Sequence, residues 1–421
     1  MSRLDLLIFG ATGYTGKYVV EELARKSQLQ QNIKWGIAGR SISKLKQVLD
    51  EITKITGINL NSIETIAADI NNVESLTKMC QKTDVLINCV GPYRLYGYPV
   101  IQACLNAKAN YVDISGEPQF LETVQLRYND EAEKQGVAIV GSCGFDSIIA
   151  DMGVETIHIS YIESFLSLKF GRTGYAVNFG TWESAVHGLS HAHELKPLRK
   201  ELFPQKVPYS KYKKERSTIF STTFDGIKDK VWCLPFPGSD KSVVHRTQYF
   251  NHTKRNKNPI RYQPYFELSS FFSLIKLIIV SILFKILTSC QFGIQLLLKF
   301  PNLFSFGVIT HEGPTREQCE EASFKTRFVT YGWKQSLNEV HTTKPDIESV
   351  HEFTGPDPGY IGTSKMVLAC ALTLHEEKDQ LPLKGGVFTP GAAFSSTKLM
   401  QRLENDNIIL RRNKTASEQS S

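Results

Sequence analysis

The chain lacks the marks of a stapled or metal-bound fold. Its eight cysteines, at 80, 89, 104, 143, 233, 290, 319 and 370, include no Cys-x-x-Cys pair and do not cluster beside paired histidines. Neither a disulfide framework nor a structural zinc site is expected, and the thiols read as reduced, small apolar residues of a cytosol-facing protein. There is no internal repeat of solenoid period. There is no uncharged apolar run of about 20 residues, the length of an ordinary membrane span. No leader is expected, because Met1-Ser2-Arg3-Leu4-Asp5 runs straight into a strand pattern. The charge excess is modest, +7, and partly local. Lys254, Arg255, Lys257 and Arg261 form one knot, and a looser one runs from Lys196 to Arg216. No aromatic-rich basic motif or zinc finger accompanies them, so nucleic acid is not an expected partner. Solvated loops and contact with an anionic membrane surface are the two readings of these charges.

What is present is an ordinary globular composition, 421 residues with 41% hydrophobic and 22% charged. That length predicts two or three domains and a core large enough to need no staple. From residue 4 to about 150, short apolar runs alternate with helical spacing: strands near 4–9, 34–40, 63–68, 84–90, 111–114 and 137–141, with helices between. This alternation predicts a doubly wound α/β sheet, parallel and covered on both faces. After residue 153 the texture shifts to longer strands at 163–171, 231–234 and 323–332, with a helix at 186–193, which predicts an α+β domain on a mixed or antiparallel sheet. Residues 204–264, rich in Lys, Ser and Pro, are expected to be loop-rich. The division expected is 1–150, 151–360, a segment 361–411 that packs back on the core, and a disordered tail 412–421.

The strongest local signal is Gly10-Ala11-Thr12-Gly13-Tyr14-Thr15-Gly16. It follows a strand and opens a helix, the context that a dinucleotide fingerprint requires. Glycines allow the tight turn and the approach of backbone to a pyrophosphate, and the helix start offers unpaired N–H groups. An NAD site places Asp or Glu at the end of the second strand; this chain has Ala38-Gly39-Arg40-Ser41. Arg40 can bond a 2′-phosphate bidentately and Ser41 can add a hydroxyl, so NADP is the expected cofactor and NAD the alternative. Asp69 could meet the adenine edge or cap the next helix. Asn88-Cys89-Val90-Gly91-Pro92-Tyr93 ends the fourth strand, where Asn88, Gly91 and Pro92 would border the nicotinamide.

These stretches, with Tyr111–Glu117, 144–147, 180–184 and 386–394, resemble the saccharopine dehydrogenase-like oxidoreductases of animals, over roughly residues 4–410. The resemblance implies a Rossmann domain, a saccharopine-reductase-like second domain and oxidoreductase activity. It implies kinship with bacterial trans-acting enoyl reductases of lipid biosynthesis and an association with lipid droplets and membranes. Saccharopine is not thereby the substrate.

Candidates for proton transfer near the strand ends are Tyr93, Asp113 and Glu117, with Tyr96, Cys143 and Asp146 behind them. Turn and cap chemistry is the plainer reading of the carboxylates, and a buried inert thiol that of Cys143. Tyr209 and Lys213 have a Tyr-x-x-x-Lys spacing but lie in a lysine-rich stretch, and are read as chance. His187, His191 and His193 lack a His-Glu-x-x-His frame, so no metal is expected.

Residues 268–298 carry only two charges, Lys276 and Lys285. Fourteen Leu, Ile, Val and Phe between 268 and 289 favour insertion by about 4–8 kcal/mol, and a central lysine opposes it by roughly 2.5–3.5. The two lysines face opposite sides of a helix, so a break or hairpin near 289–293 is expected, dipping into one leaflet or a lipid monolayer. A buried core or a homodimer interface, and a full span of the membrane, are the competing readings. The function expected is an NADP-dependent oxidoreductase acting on a lipid-like substrate at a membrane or lipid-droplet surface. The alternatives are an NADP-binding scaffold without chemistry and a soluble lysine-pathway reductase.

Overall fold

The computed structural model describes residues 3–29, 33–157, 159–224, 230–333 and 345–413. Two units partition the chain, and neither is one stretch of sequence. The first takes Met1–Phe145, Glu194–Leu202 and Gly359–Asp406; the second takes Asp146–His193, Phe203–Pro358 and Asn407–Ser421.

Strand and helix alternate at the start: β1 (Leu4–Phe9), α1 (Tyr14–Leu29), β2 (Trp35–Gly39), α2 (Ile42–Thr56), β3 (Glu64–Ala67), α3 (Val73–Cys80), β4 (Thr83–Asn88), α4 (Tyr93–Ala107), β5 (Asn110–Asp113), α5 (Pro118–Gln135) and β6 (Ala138–Val140). The chain continues through α6 (Phe145–Ile157), β7 (Tyr161–Lys169), β8 (Val177–Asn178), α7 (Phe179–Ser190) and α8 (Leu195–Leu202). There follow β9 (Phe220–Thr222), β10 (Val231–Pro235), α9 (Asp240–Arg255), β11 (Arg261–Leu268), α10 (Phe271–Leu287), α11 (Gln291–Lys299), α12 (Pro301–Phe304), β12 (Ile309–Thr310), α13 (Arg316–Glu321), β13 (Ser323–Gly332) and β14 (Ile347–Pro356). It then supplies α14 (Ile361–Glu376), β15 (Gly386–Phe388), α15 (Pro390–Phe394) and α16 (Leu399–Asn405) to the first unit, and β16 (Ile409–Asn413) to the second.

The first unit is built on a seven-stranded sheet of order β15-β6-β5-β4-β1-β2-β3, parallel throughout. Its central strands are apolar along their length; Leu6, Leu7 and Ile8 are fully buried, as a sheet covered on both faces requires. Strand order reverses between β1 and β4, and the crevice outside their carboxyl ends is where such sheets bind ligands. The expected doubly wound sheet is therefore present, and the distant α14 covers it: this helix packs on α1 and on β1, β4 and β5.

The second unit's sheet has the order β16-β14-β13-β7-β11-β10-β9. Only β7 and β11 run parallel, so the sheet is mixed. On β7, Tyr161, Glu163 and Phe165 alternate along one face. Glu163, fully buried, accepts two bonds from Nε of Arg216 at 2.9 and 3.1 Å, one from its Nη2 at 2.8 Å, and the hydroxyls of Tyr161 and Tyr331 at 3.0 and 3.2 Å. Burial, and then the charge of Glu163, push both phenols up. Arg216 also lies over the rings of Phe220 and Phe165.

Two expectations need correction. Residues 204–264 are not all loop, since α9 crosses them; its polar face hides the helix signal, yet Arg246, Thr247, Gln248 and Asn251 are buried. Arg412 and Asn413 are not tail but the end of β16, paired with His351 and Val350; residues 414–421 lie outside the described residues. The helix α4 begins six residues before its Pro99. Proline cannot donate to the Leu95 carbonyl, but Leu95 is exposed and water can serve it. The apolar stretch 268–298 does break, between α10 and α11. Among the described residues no helix is long and apolar enough to cross a membrane.

Candidate cofactor site

Gly10 follows β1 with φ +87°, a conformation that a side chain would strain. Its amide donates to the Ala38 carbonyl at 3.0 Å, which fastens the turn to β2. The Gly13 amide donates to Gly10 O at 2.9 Å and the Lys17 amide to Gly13 O at 3.1 Å, so the turn passes directly into α1. A Cβ on Gly16 would fall on the Gly10 carbonyl oxygen, with Ala11 Cα at 3.0 Å. One on Gly13 would meet only Gly10 O, at 3.2 Å. Ala11 is fully buried, Thr12, Tyr14 and Thr15 are half-buried, and Gly13 is exposed. The loop is packed from behind and open in front, which suits a pyrophosphate over the start of α1.

Arg40, at the end of β2, is exposed and has no hydrogen-bond or ion-pair partner among the described residues. Ser41 is the N-cap of α2, accepting from Lys44 N at 3.4 Å and sharing a 2.9 Å bond with Ser43. Asp69 does not cap α3; Asn72 does, through Ser75 N at 3.0 Å. The Asp69 carboxylate accepts Asn71 N at 2.9 Å and so closes the turn that follows β3.

At the ends of β4, β5 and β6 the polar groups bond one another. Asn88 Nδ2 donates to Tyr111 Oη at 3.0 Å, and Tyr111 donates to Asp113 Oδ2 at 2.9 Å. Asp113 Oδ1 accepts the amides of Ser115 and Ser142, both at 2.9 Å. Burial raises the Asp113 carboxyl to about 6 against these bonds. Tyr93 donates its hydroxyl to Asn88 O at 2.8 Å; burial, then the Asp113 charge, push its phenol well up. Glu117 accepts the amides of Tyr93 and Arg94 at 2.8 and 2.9 Å. Those are the first residues of α4, whose own N-cap, Pro92, has no side chain that can cap. A carboxylate 24 residues away therefore caps the helix and complements its dipole. Asn88, Tyr93, Asp113 and Glu117 are all buried. They frame the turn carrying exposed Gly91 and buried Pro92, and Tyr93, Asp113 and Glu117 are each bonded within this network. Cys143 is fully buried too, and burial pushes its thiol well up. Tyr96, half-buried, keeps a phenol without a partner among the described residues. The side chain of Asp146 lies outside the described residues.

Sequence reasoning missed one contributor. The head of α14 reaches this edge: the Tyr360 ring meets Tyr14 at 4.6 Å between centroids, and Thr363 Oγ1 accepts Phe145 N at 3.1 Å, just past β6. No local spacing near residue 360 points to residue 14; only the Gly-Tyr-x-Gly-Thr run, small residues opening a helix, hints at a close approach.

The remaining motifs belong to the second unit. Tyr209 and Lys213 share no helix, and Tyr209 bonds His245 Nδ1 at 2.6 Å. His187, His191 and His193 have neighbouring rings, with His191 Nδ1 held 2.8 Å from the His187 carbonyl oxygen. Among the described residues no group of three such side chains could hold a metal. All eight cysteines are free, and six are buried.

Residues 6–140 match the family model described as the saccharopine dehydrogenase NADP binding domain. The chain is 40% identical over 414 residues to the saccharopine dehydrogenase-like oxidoreductase of Homo sapiens, covering 96% of each. It is 39% identical over 422 residues to the lipid droplet localized protein of Caenorhabditis elegans, covering 97% of this chain and 98% of that one. Apo saccharopine dehydrogenase (L-Glu forming) of Saccharomyces cerevisiae shares the fold, with TM-score 0.55, 12% identity and coverage of 98% and 100%. With near-complete coverage at this identity, the chain belongs to the saccharopine dehydrogenase-like oxidoreductases, and its first unit carries their NADP-binding domain.

Proposed function

We propose that this protein is an NADP-dependent oxidoreductase that acts on a hydrophobic, lipid-like substrate while held, cytosol-facing, on a membrane or lipid-droplet surface. The observation that carries the cofactor half is that Arg40, beside a loop open at Gly13, has no partner among the described residues. The glycine loop would hold the pyrophosphate, Arg40 and Ser41 the 2′-phosphate, Asp69 the adenosine side, and the turn Asn88–Pro92 the nicotinamide side. When bound, the cofactor supplies a hydride. The chain's part is to orient it and to keep the network from Asn88 to Asp113 rigid beneath it. In fluorescence titration, Arg40→Ala should weaken NADPH roughly tenfold or more, as loss of a charged hydrogen bond implies, and leave NADH unchanged. Equal NADPH affinity in the variant would count against Arg40 as the 2′-phosphate group.

The surface half rests on α10. Phe271, Phe272, Ile275, Ile279, Ile282, Leu283 and Ile286 recur at helical spacing and are exposed, Phe272 at 82%. The opposite side is anchored: Phe284 meets Trp182 edge-on at 4.8 Å, and Trp182 Nε1 donates to the Leu297 carbonyl in α11 at 2.9 Å. Phe292, Leu303 and Phe306, which follow α10 in the chain, are exposed apolar side chains as well. Part of the basic excess is not available to a surface, because Arg261 bonds the Ser210 carbonyl and Arg216 bonds Glu163. The name of the Caenorhabditis relative supports a droplet surface, as the trans-acting enoyl reductase named for the 26% identical Mycobacterium tuberculosis relative supports a lipid substrate. A plant relative is named probable mitochondrial. Changing Ile279 and Ile286 to Glu should abolish flotation with phospholipid-coated oil droplets, since each buried side chain contributes about 1.5–3 kcal/mol, while NADPH affinity stays unchanged. Undiminished flotation would remove α10 from the contact.

A non-catalytic NADP-binding scaffold is the second reading, favoured by the internal bonding of Tyr93, Asp113 and Glu117. Oxidation of NADPH on addition of a cell lipid extract would exclude it.

A further inference from the structure

We propose that Tyr360 is a positioning residue for the cofactor's phosphates and acts through Tyr14. The proposal rests on reading the glycine loop as the phosphate site. Tyr14 is the residue after Gly13 and the first of α1. Its ring is met edge-on by Tyr360 at 4.6 Å with planes at 74°, and Tyr18, one turn on, lies 5.7 Å from Tyr14 and 5.9 Å from Tyr360. The three rings thus close a triangle over the first turn of α1. Tyr360 is 3% exposed and opens α14, its carbonyl accepting Ser364 N at 2.9 Å. Because α14 packs along α1 in the core of the first unit, the Tyr360 ring is a wall against which the Tyr14 ring leans.

A turn with three glycines in seven residues has much freedom to lose when a ligand orders it. Helix ends fray, and the N–H groups that would meet a phosphate are those of the first turn. Pinning the ring of Tyr14 holds that turn in place before the ligand arrives, which lowers the ordering cost of binding. The contact is between ring faces and edges, so the Tyr360 hydroxyl is dispensable to it.

Two ligands separate this role from a general one. NADPH carries both the pyrophosphate and the 2′-phosphate; 2′-AMP carries the 2′-phosphate and adenosine alone. Tyr360→Ala should raise the NADPH dissociation constant about five- to tenfold, the scale of one aromatic pair, with 2′-AMP within about twofold of wild type. Tyr360→Phe should restore NADPH binding. Tyr360→Leu, which keeps buried bulk, should behave as the alanine variant does and guards against simple loss of folding. Unchanged NADPH affinity in the alanine and leucine variants overturns the proposal, and so does an equal loss of both ligands. Wild-type protein that binds 2′-AMP but gains nothing from the rest of NADPH overturns the phosphate-site reading itself.

Discussion

Gly16→Ala is expected to cost the protein its cofactor, with NADPH affinity down about 100-fold or more. The added Cβ would fall on Gly10 O and come within 3.0 Å of both Gly10 C and Ala11 Cα. Every one of these atoms is backbone, so no side chain can swing away. Relief requires α1 to lift from β1, and overpacking of this kind costs typically 1–3 kcal/mol before any ligand is considered. The displaced part is the turn that would meet the pyrophosphate, so the loss in binding adds to the loss in packing. Gly13→Ala is the control, because its Cβ meets a single oxygen at 3.2 Å on the open side; it should fold normally and weaken binding less. Titration with NADPH, paired with a thermal melt, separates the two effects. Near-wild-type affinity in Gly16→Ala would mean that the close contact between α1 and β1 is not needed for the site.

The second large effect concerns stability. Arg216→Ala should destabilise the second unit by about 3–5 kcal/mol, the cost of leaving a buried charge without its partner. Glu163 is fully buried and Arg216 is its only guanidinium among the described residues; the hydroxyls of Tyr161 and Tyr331 remain but carry no charge. Urea unfolding would read the loss. Adding Glu163→Gln to the Arg216→Ala chain should recover part of it, because the orphaned charge is then gone. A double variant no more stable than the single would assign the effect to the ring contacts of Arg216 with Phe220 and Phe165.

Local patterns reported local facts. The strand–glycine–helix start, the alternation through β6 and the Arg40 position are written within a few residues of one another, and the structure has them. The partners of Asp113 and Glu117 were not legible, because Ser142 and the head of α4 reach them only after the sheet is assembled. That a carboxylate follows β5 is legible in sequence; that Glu117 caps a helix beginning 24 residues before it is not. The region 204–264 misled for a related reason: Gln248 and Asn251 on α9 are buried against Glu155, so its inner face is polar and carries no apolar stripe. Residue 360 was invisible because its neighbour in space is residue 14.

The return of α14 and β15 to the first sheet also bears on how the chain emerges from the ribosome. The strands β1, β4 and β5 are complete by residue 113, yet the helix that covers them starts at Ile361 and the strand that pairs with β6 ends at Phe388. At about 5–20 residues per second, the growing polypeptide waits some tens of seconds between making this apolar face and making its cover. The nucleotide-binding unit, begun first, is therefore finished only after most of the second unit has been made, with β16 of the second unit following it. The nascent chain therefore carries an uncovered apolar sheet face through most of its synthesis, and a premature stop in the second unit leaves the first one uncovered as well.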